Sequence, residues 1–421
     1  MITEIRAKNC FSFKEQVVFS MKADMRNKRL ASNVCSFGCF NVLKTAGIYG
    51  SNNSGKTNLL KCIRAIWGMI MNKEFSIASN YFSGSNVVEL GVTFIFDERE
   101  FAYDIRFDIL KREYVYEKFC EIKKDTYGNE KSELWLLRDS IESEFESADV
   151  ELKSMVGIMA RSNILIHLVD TAKFEHMNEI KRMLIGFASK IDIVDMNNIP
   201  LKKTIEVLKN KGDICNKVVN FIKNADLYMD DYYFADDTEI RLGTTEEGMT
   251  PQENVLGISD QIFELMHLTS VYKGVKVPSV FVDSTGTKKI VALASFIIEA
   301  LEQGRLLIID ELDSSIHFKL TRAIVSMFNN ELNSKAQMIF TVHDVNLMDC
   351  KRLFRKEQIW FVHKDEEGVY LYSLAEFTAR DGVRDTTDII EKYRKGALGS
   401  LPEPELINSL LEINGNGGAD E

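Results

Sequence analysis

Apolar residues alternate with small or polar ones through much of the first 140 positions. Val88, Leu90, Val92, Phe94 and Phe96 take every second place, the period of a half-buried strand. The same style continues through 101–122, which predicts a β-meander, and Trp135, Leu136 and Leu137 add a further strand. Ile2 and Ile5, then Val17, Val18 and Phe19, predict two short strands around a turn. Val42–Tyr49 reads as one strand entering a Gly-rich loop. Leu59, Leu60, Ile63, Ile66 and Trp67 then recur at helical spacing.

From about 145 to 230 the period changes. Charged residues mix with apolar ones at spacings of three and four, as at Met183, Leu184 and Phe187 or Ile205 and Leu208. This predicts a helical insertion that acts as a packing module or lid. Lys202, Lys203, Lys209 and Lys211 within it read as a solvated helix face. Strand-like segments return at 231–240 and 261–282. A helix at 287–302, an apolar run at 306–309, a helix at 316–330 and a second apolar run at 337–342 follow. Strand–helix–strand order predicts an α/β fold with a mostly parallel sheet. Residues 357–375 resemble a terminal hairpin, and the Gly-rich tail is expected to be flexible. The chain thus divides into 1–140, the insertion 141–235, a second head segment 236–402 and a tail 403–421.

Composition narrows the class. With 421 residues, 45% hydrophobic and 27% charged, the chain can bury a core of two or three domains without staples. No run reaches the ~18–20 apolar residues of a membrane span, and charges interrupt the start, so neither a membrane partner nor a signal peptide is expected. The seven cysteines are scattered and form no CxxC pair, which points to a reduced cytoplasmic protein. A net charge of −11 argues against a broad nucleic-acid footprint but leaves room for a local basic patch.

Four segments carry chemistry. Gly50-Ser51-Asn52-Asn53-Ser54-Gly55-Lys56-Thr57 fits G-x-x-x-x-G-K-[ST], after a strand and before a helix, as a P-loop requires. Its glycines let backbone N–H groups approach phosphates, and the helix that continues through Asn58 offers its positive end to the anion. Lys56 would reach the β- and γ-phosphates of ATP, and Thr57 would give an oxygen to Mg²⁺. In Leu306–Glu311 an apolar strand ends in two carboxylates. Asp310 would hold Mg²⁺, and Glu311 would orient and deprotonate the attacking water. Asp283–Lys289 precedes a helix, with Ser284 as N-cap. Two lysines there oppose the helix dipole, so the segment suits either a bound phosphate or an ordinary capped turn. His343 follows the strand-like 337–342, one strand after the acidic pair, which suits a sensor of the γ-phosphate. His317 reads as a helix-start residue and His167 as a core histidine.

These motifs in this order resemble the ABC-type ATPases of the SMC, RecF and OLD kind. The resemblance implies a P-loop ATPase head with an N-terminal antiparallel part, in which Ser284, Gly286 and Lys288 act in trans on a neighbour's γ-phosphate. Asp313 would sit in the loop crossing between subunits, so working sites would form in a dimer or higher oligomer. The stretches TGTKK, LLIIDELDSSIH, TVHD, QIWFVHKD and Tyr393-x-x-Gly396-Ala397-Leu398-Gly399-Ser400-Leu401-Pro402 resemble more closely the AAA-type ATPases of bacterial abortive-infection loci, including RloA/AbiL-like proteins and the ATPase subunit of the PARIS anti-phage system. Phe318 stands where that family usually has Pro, and Val342 where it often has Thr. The likeness implies an oligomeric, slowly turning-over regulatory ATPase that answers a phage-derived trigger and controls a separately encoded toxic effector. The stretch after His343 is too short for an OLD-type Toprim nuclease, so the toxic chemistry is expected on another chain. The second reading, a DNA-repair clamp, looks to Arg6, Lys8 and Phe13 in the first strands and is less favoured by the acidic balance.

Overall fold

The computed structural model describes residues 1–125, 129–149, 151–152, 161–225, 227–236, 265–384, 387–399 and 401. The expected tail, and the strand-like positions 237–240 and 261–264, lie outside these. The chain opens with β1 (Ile2–Lys8) and β2 (Val17–Ser20), the small hairpin β3 (Val34–Phe37) and β4 (Phe40–Leu43), and β5 (Thr45–Tyr49). The P-loop helix Lys56–Met71 follows, then β6 (Val87–Phe96), β7 (Arg99–Asp108), β8 (Glu113–Lys124), β9 (Glu130–Asp139) and β10 (Glu144–Ser147). These last five strands join β1 and β2 in a seven-stranded antiparallel sheet ordered β10-β9-β8-β7-β6-β1-β2. The alternation read from the sequence is met here: Leu90, Val92 and Phe94 are buried on its inner face.

The stretch read as a single strand from Val42 to Tyr49 is two strands. Lys44 breaks it, its buried ammonium donating to the Asn330 carbonyl at 2.8 Å. β4 pairs with β3, whereas β5 turns into the central sheet. The helical reading of 141–235 also needs correction. It holds helices Glu175–Ala188, Lys202–Asn210 and Asp213–Asn224, but β10 extends the antiparallel sheet, and β11 (Ile191–Asp195) is a strand of the central sheet. Helix Glu175–Ala188 is no detached lid: it shares one core with the P-loop helix and the antiparallel sheet, with Phe187 stacked on Phe94 at 4.2 Å. Lys203 is not simply solvated. It pairs with Glu299 at 2.8 Å and lies over the Phe296 ring.

Next come β12 (Asp231–Phe234), β13 (Leu268–Tyr272) and β14 (Val275–Pro278), a small antiparallel sheet that packs with helices Lys202–Asn210 and Asp213–Asn224 on one face of the long helix Thr285–Gln303. β15 (Leu306–Asp310), helix Phe318–Asn329, β16 (Gln337–Thr341) and the hairpin β17 (Ile359–Lys364) with β18 (Val369–Ser373) complete the head. The central sheet runs β11-β15-β16-β5-β17-β18, parallel except for the last strand. β5 and β16 are buried at every position, as a strand covered on both faces must be. The P-loop helix covers one face, and helices Thr285–Gln303 and Phe318–Asn329 cover the other. No helix among the described residues is long and apolar enough to cross a membrane.

Candidate functional site

Because β11, β15, β16 and β5 are parallel neighbours, their carboxyl ends line one edge of the sheet, where open α/β sheets bind ligands. That edge gathers the P-loop after β5, Asp310 at the end of β15 with Glu311 just past it, Thr341 at the end of β16 with His343 just past it, and Asn197 after β11. A cavity of about 300 Å³ opens between 52–58 of the loop and Asp310, Glu311, Thr341 and His343. A larger one, about 830 Å³, lies between Lys14–Val17 and the β17–β18 hairpin, but its lining includes no residue of the four segments that carry chemistry. Chemistry, not volume, selects the smaller.

The loop's shape follows from its residues. Gly50 has φ 154°, and a Cβ there would come within 2.3 Å of the Val362 carbonyl oxygen, so only glycine fits. Asn53 is left-handed at φ 61°, and Gly55 at φ 114° caps the helix. Ser54 is buried, and its hydroxyl has no partner among the described residues, a sign of a cradle built for an acceptor-rich ligand. Lys56 is 7% exposed, and its ammonium donates to the carbonyls of Gly50 at 2.7 Å and Ser51 at 2.9 Å. Burial lowers its pKa, while Asp310, Asp313 and Glu311 pull it back up.

Asp310 meets two hydroxyls. Thr57 donates to its Oδ1 at 3.3 Å and Thr341 donates to the same oxygen at 2.5 Å. Hydroxyl and carboxylate oxygens side by side form the hard donor set that suits Mg²⁺ held mainly by substrate phosphates. Thr341 also receives the Glu311 N–H at 2.7 Å, fixing the backbone of the second acid, which sits at φ 55°. The Glu311 carboxylate accepts from the Asn197 amide at 2.7 Å. Neither Thr341 nor Asn197 was singled out from the sequence. The available signals were a hydroxyl closing a buried apolar strand and an Asn-Asn pair closing a short one.

His343 is exposed and lines the cavity. Asp313 lies outside the cavity lining: its Oδ2 accepts from the backbone N–H of His343 at 2.9 Å and of Asp344 at 2.7 Å within the same chain, so it shapes the His343 turn. Ser284 caps helix Thr285–Gln303, accepting from the Thr287 N–H at 3.1 Å, and Lys288 donates to the Val280 carbonyl at 3.0 Å. Ser284, Gly286 and Lys288 do not line the chain's own P-loop cavity. Just before them Asp283 is buried, its carboxylate accepting from Ser270, Ser279 and Tyr272, which ties the segment to β13. His317 caps helix Phe318–Asn329 through its ring, and His167 bonds the Ile70 carbonyl at 2.9 Å.

The fold is the α/β fold of P-loop ATPase heads. Similar solved structures include the SMC head domain from Thermotoga maritima, with 12% identity, 88% of this chain and 98% of that one covered, and a TM-score of 0.41. A second is the SmcHead bound to the C-winged helix domain of ScpA, at 14% identity, 91% and 99% coverage and a TM-score of 0.49. No curated protein matches the chain in sequence. The family described as "AAA domain, putative AbiEii toxin, Type IV TA system" matches residues 46–164 and 204–349, which hold the P-loop, the acidic strand end and the turn of His343, and the chain belongs to it.

Proposed function

We propose that this chain binds and slowly hydrolyses ATP in sites shared between copies, and that it uses the cycle to hold and release a separate toxic effector in anti-phage defence. The observation that carries the ATPase reading is the convergence of Thr57, Thr341 and Asp310 beside the P-loop. Loop amides and Lys56 would bind the β- and γ-phosphates. Thr57 and Asp310 would hold Mg²⁺, which when bound neutralises charge on the transferred phosphoryl group. Glu311 takes a proton from the attacking water, and His343 contacts the γ-phosphate. Most of the rate would come from positioning and charge stabilisation.

Ser284, Gly286 and Lys288, lying away from their own chain's cavity, would complete a neighbour's site. The family's description as a toxin–antitoxin component supports the defence setting, as do the C-terminal motifs. The DNA-clamp reading is less favoured: Phe13 is buried in the core, Arg6 pairs with Asp104 and Glu4, and Lys8 shares a surface ion pair with Glu89. Tagged Glu311→Gln protein, recovered from its native cells with Mg·ATP and analysed by mass spectrometry, tests the proposal. A stoichiometric partner encoded nearby is expected. Chromosomal DNA with repair proteins, or no partner, would contradict effector control.

A further inference from the structure

The loop Glu311–Ser315 begins and ends with non-glycine residues in the left-handed region, Glu311 at φ 55° and Ser315 at φ 62°. That region is unfavourable for a residue with a Cβ, so the loop keeps its shape only while its neighbours hold it. Thr341 and the turn of His343 hold it on one side. Another neighbour is the first turn of helix Thr285–Gln303, the turn that carries the signature residues. Gly286 packs so closely there that a Cβ would lie 2.6 Å from the Ser315 carbonyl oxygen. Lys289, three residues on, donates to the Ser314 hydroxyl at 2.9 Å.

From Ser314 the contacts lead to the base. The Ser314 hydroxyl donates to Asn197 Oδ1 at 3.2 Å, and the Asn197 amide donates to Glu311 Oε2 at 2.7 Å. Ammonium, hydroxyl, amide and carboxylate follow one another in a single donor-to-acceptor direction. A chain that runs from a cation to an anion polarises each of its bonds in the same sense. Asn197 is exposed, so water competes for these bonds in a single chain, and a second copy covering this edge would remove that competition.

We propose that Lys289, Ser314 and Asn197 form a relay that positions Glu311 according to the state of the signature turn in the same chain. The proposal rests on the reading of Glu311 as base and of Ser284 and Gly286 as groups that meet a second copy's triphosphate. In such an assembly a chain's signature serves one site while its Glu311 serves the other. ATP in the neighbour's site restrains the signature turn. Lys289 and Gly286 pass that restraint to the loop, and Asn197 steadies the base. The two sites therefore hydrolyse together. Lys289, Ser314 and Asn197 are positioning residues and touch no reacting atom.

The test uses full-length Ser314→Ala and Lys289→Met proteins, with Ser314→Thr and Lys289→Arg as conservative counterparts. Phosphate release is followed against ATP concentration, alongside binding of a fluorescent ATP analogue and thermal melting. The relay predicts a Hill coefficient above one for the natural protein, falling to about one in Ser314→Ala and Lys289→Met. It also predicts a kcat lower by roughly tenfold or more, as misplacement of a catalytic group costs, with nucleotide Kd and Tm little changed and with recovery in the conservative variants. Natural kcat and cooperativity in Ser314→Ala and Lys289→Met would overturn it, as would a lower kcat with cooperativity intact. Glu311→Gln in the same assay separates the two levels. A dead Glu311→Gln beside a natural Ser314→Ala overturns the relay alone, whereas normal hydrolysis by Glu311→Gln removes the base assignment beneath it.

Discussion

Replacing Thr341 by Val removes one hydroxyl and keeps the side chain's shape, so it isolates the contact that joins the two acids. Thr341 is fully buried and makes two hydrogen bonds through that oxygen, donating to Asp310 and accepting from the Glu311 N–H. A hydrogen bond to a carboxylate contributes ~1.5–3 kcal/mol, and an orphaned buried N–H costs ~1–3 kcal/mol. Part of the sum appears as lost stability in the resting protein. If about 2 kcal/mol of it is felt in the transition state, kcat falls about 30-fold. Asp310 loses its fixed orientation too, so half-saturation by Mg²⁺ shifts upward. Mg²⁺-dependent phosphate release, binding of a fluorescent ATP analogue and thermal melting measure these together, and Thr341→Ser should recover most of the rate. A folded Thr341→Val protein with kcat within about twofold of the natural one would refute the reasoning, since no other described contact supplies the same link.

Two further outcomes follow from the geometry. Gly50→Ala puts a Cβ against the Val362 carbonyl, which cannot move without distorting β17, so ATP binding measured by fluorescence should be lost or the melting temperature should drop sharply. Glu100 is fully buried, with Oε1 accepting from Thr3 at 2.6 Å and Oε2 without a partner among the described residues. Burial raises its pKa above the ordinary 4.5, against the pull of Thr3 and Lys22. The folded state therefore holds the proton more tightly than the unfolded chain, and stability is lost as pH rises from the ordinary value through the folded one. Glu100→Gln, which cannot ionise, should be more stable by ~1–2 kcal/mol at pH 8, and this advantage should shrink toward zero near the ordinary carboxyl value. Denaturant unfolding at both ends of that range checks it, and a gap that stays constant or grows on acidification would contradict the sign.

The strands that position the candidate site were legible because burial on both faces writes itself as continuous apolar runs, as at Leu306–Ile309 and Met338–Phe340. The meander was legible from its period of two. β11 was not, because Asp192 interrupts its apolar run and is satisfied from outside the strand, by Arg305 at 2.5 Å just before β15 and by Lys203 at 3.5 Å. A non-local ion pair leaves no local trace. The break at Lys44 is similar, since its buried ammonium is satisfied by the end of helix Phe318–Asn329. Asp313 is expected at a subunit crossing, and within the chain its carboxylate closes the His343 turn. An acid between a strand and a helix has the same local pattern in both roles. Asn197 went unseen for the reason β11 did: without its strand it is one more polar residue in a charged region.

Purified Glu311→Gln protein, assayed for ATP binding and for phosphate release under identical conditions, tests most directly whether this edge of the sheet is an ATPase site with Glu311 as its base. Binding close to natural with hydrolysis slower by roughly 10²–10⁴-fold is the predicted result. Hydrolysis at the natural rate would contradict it.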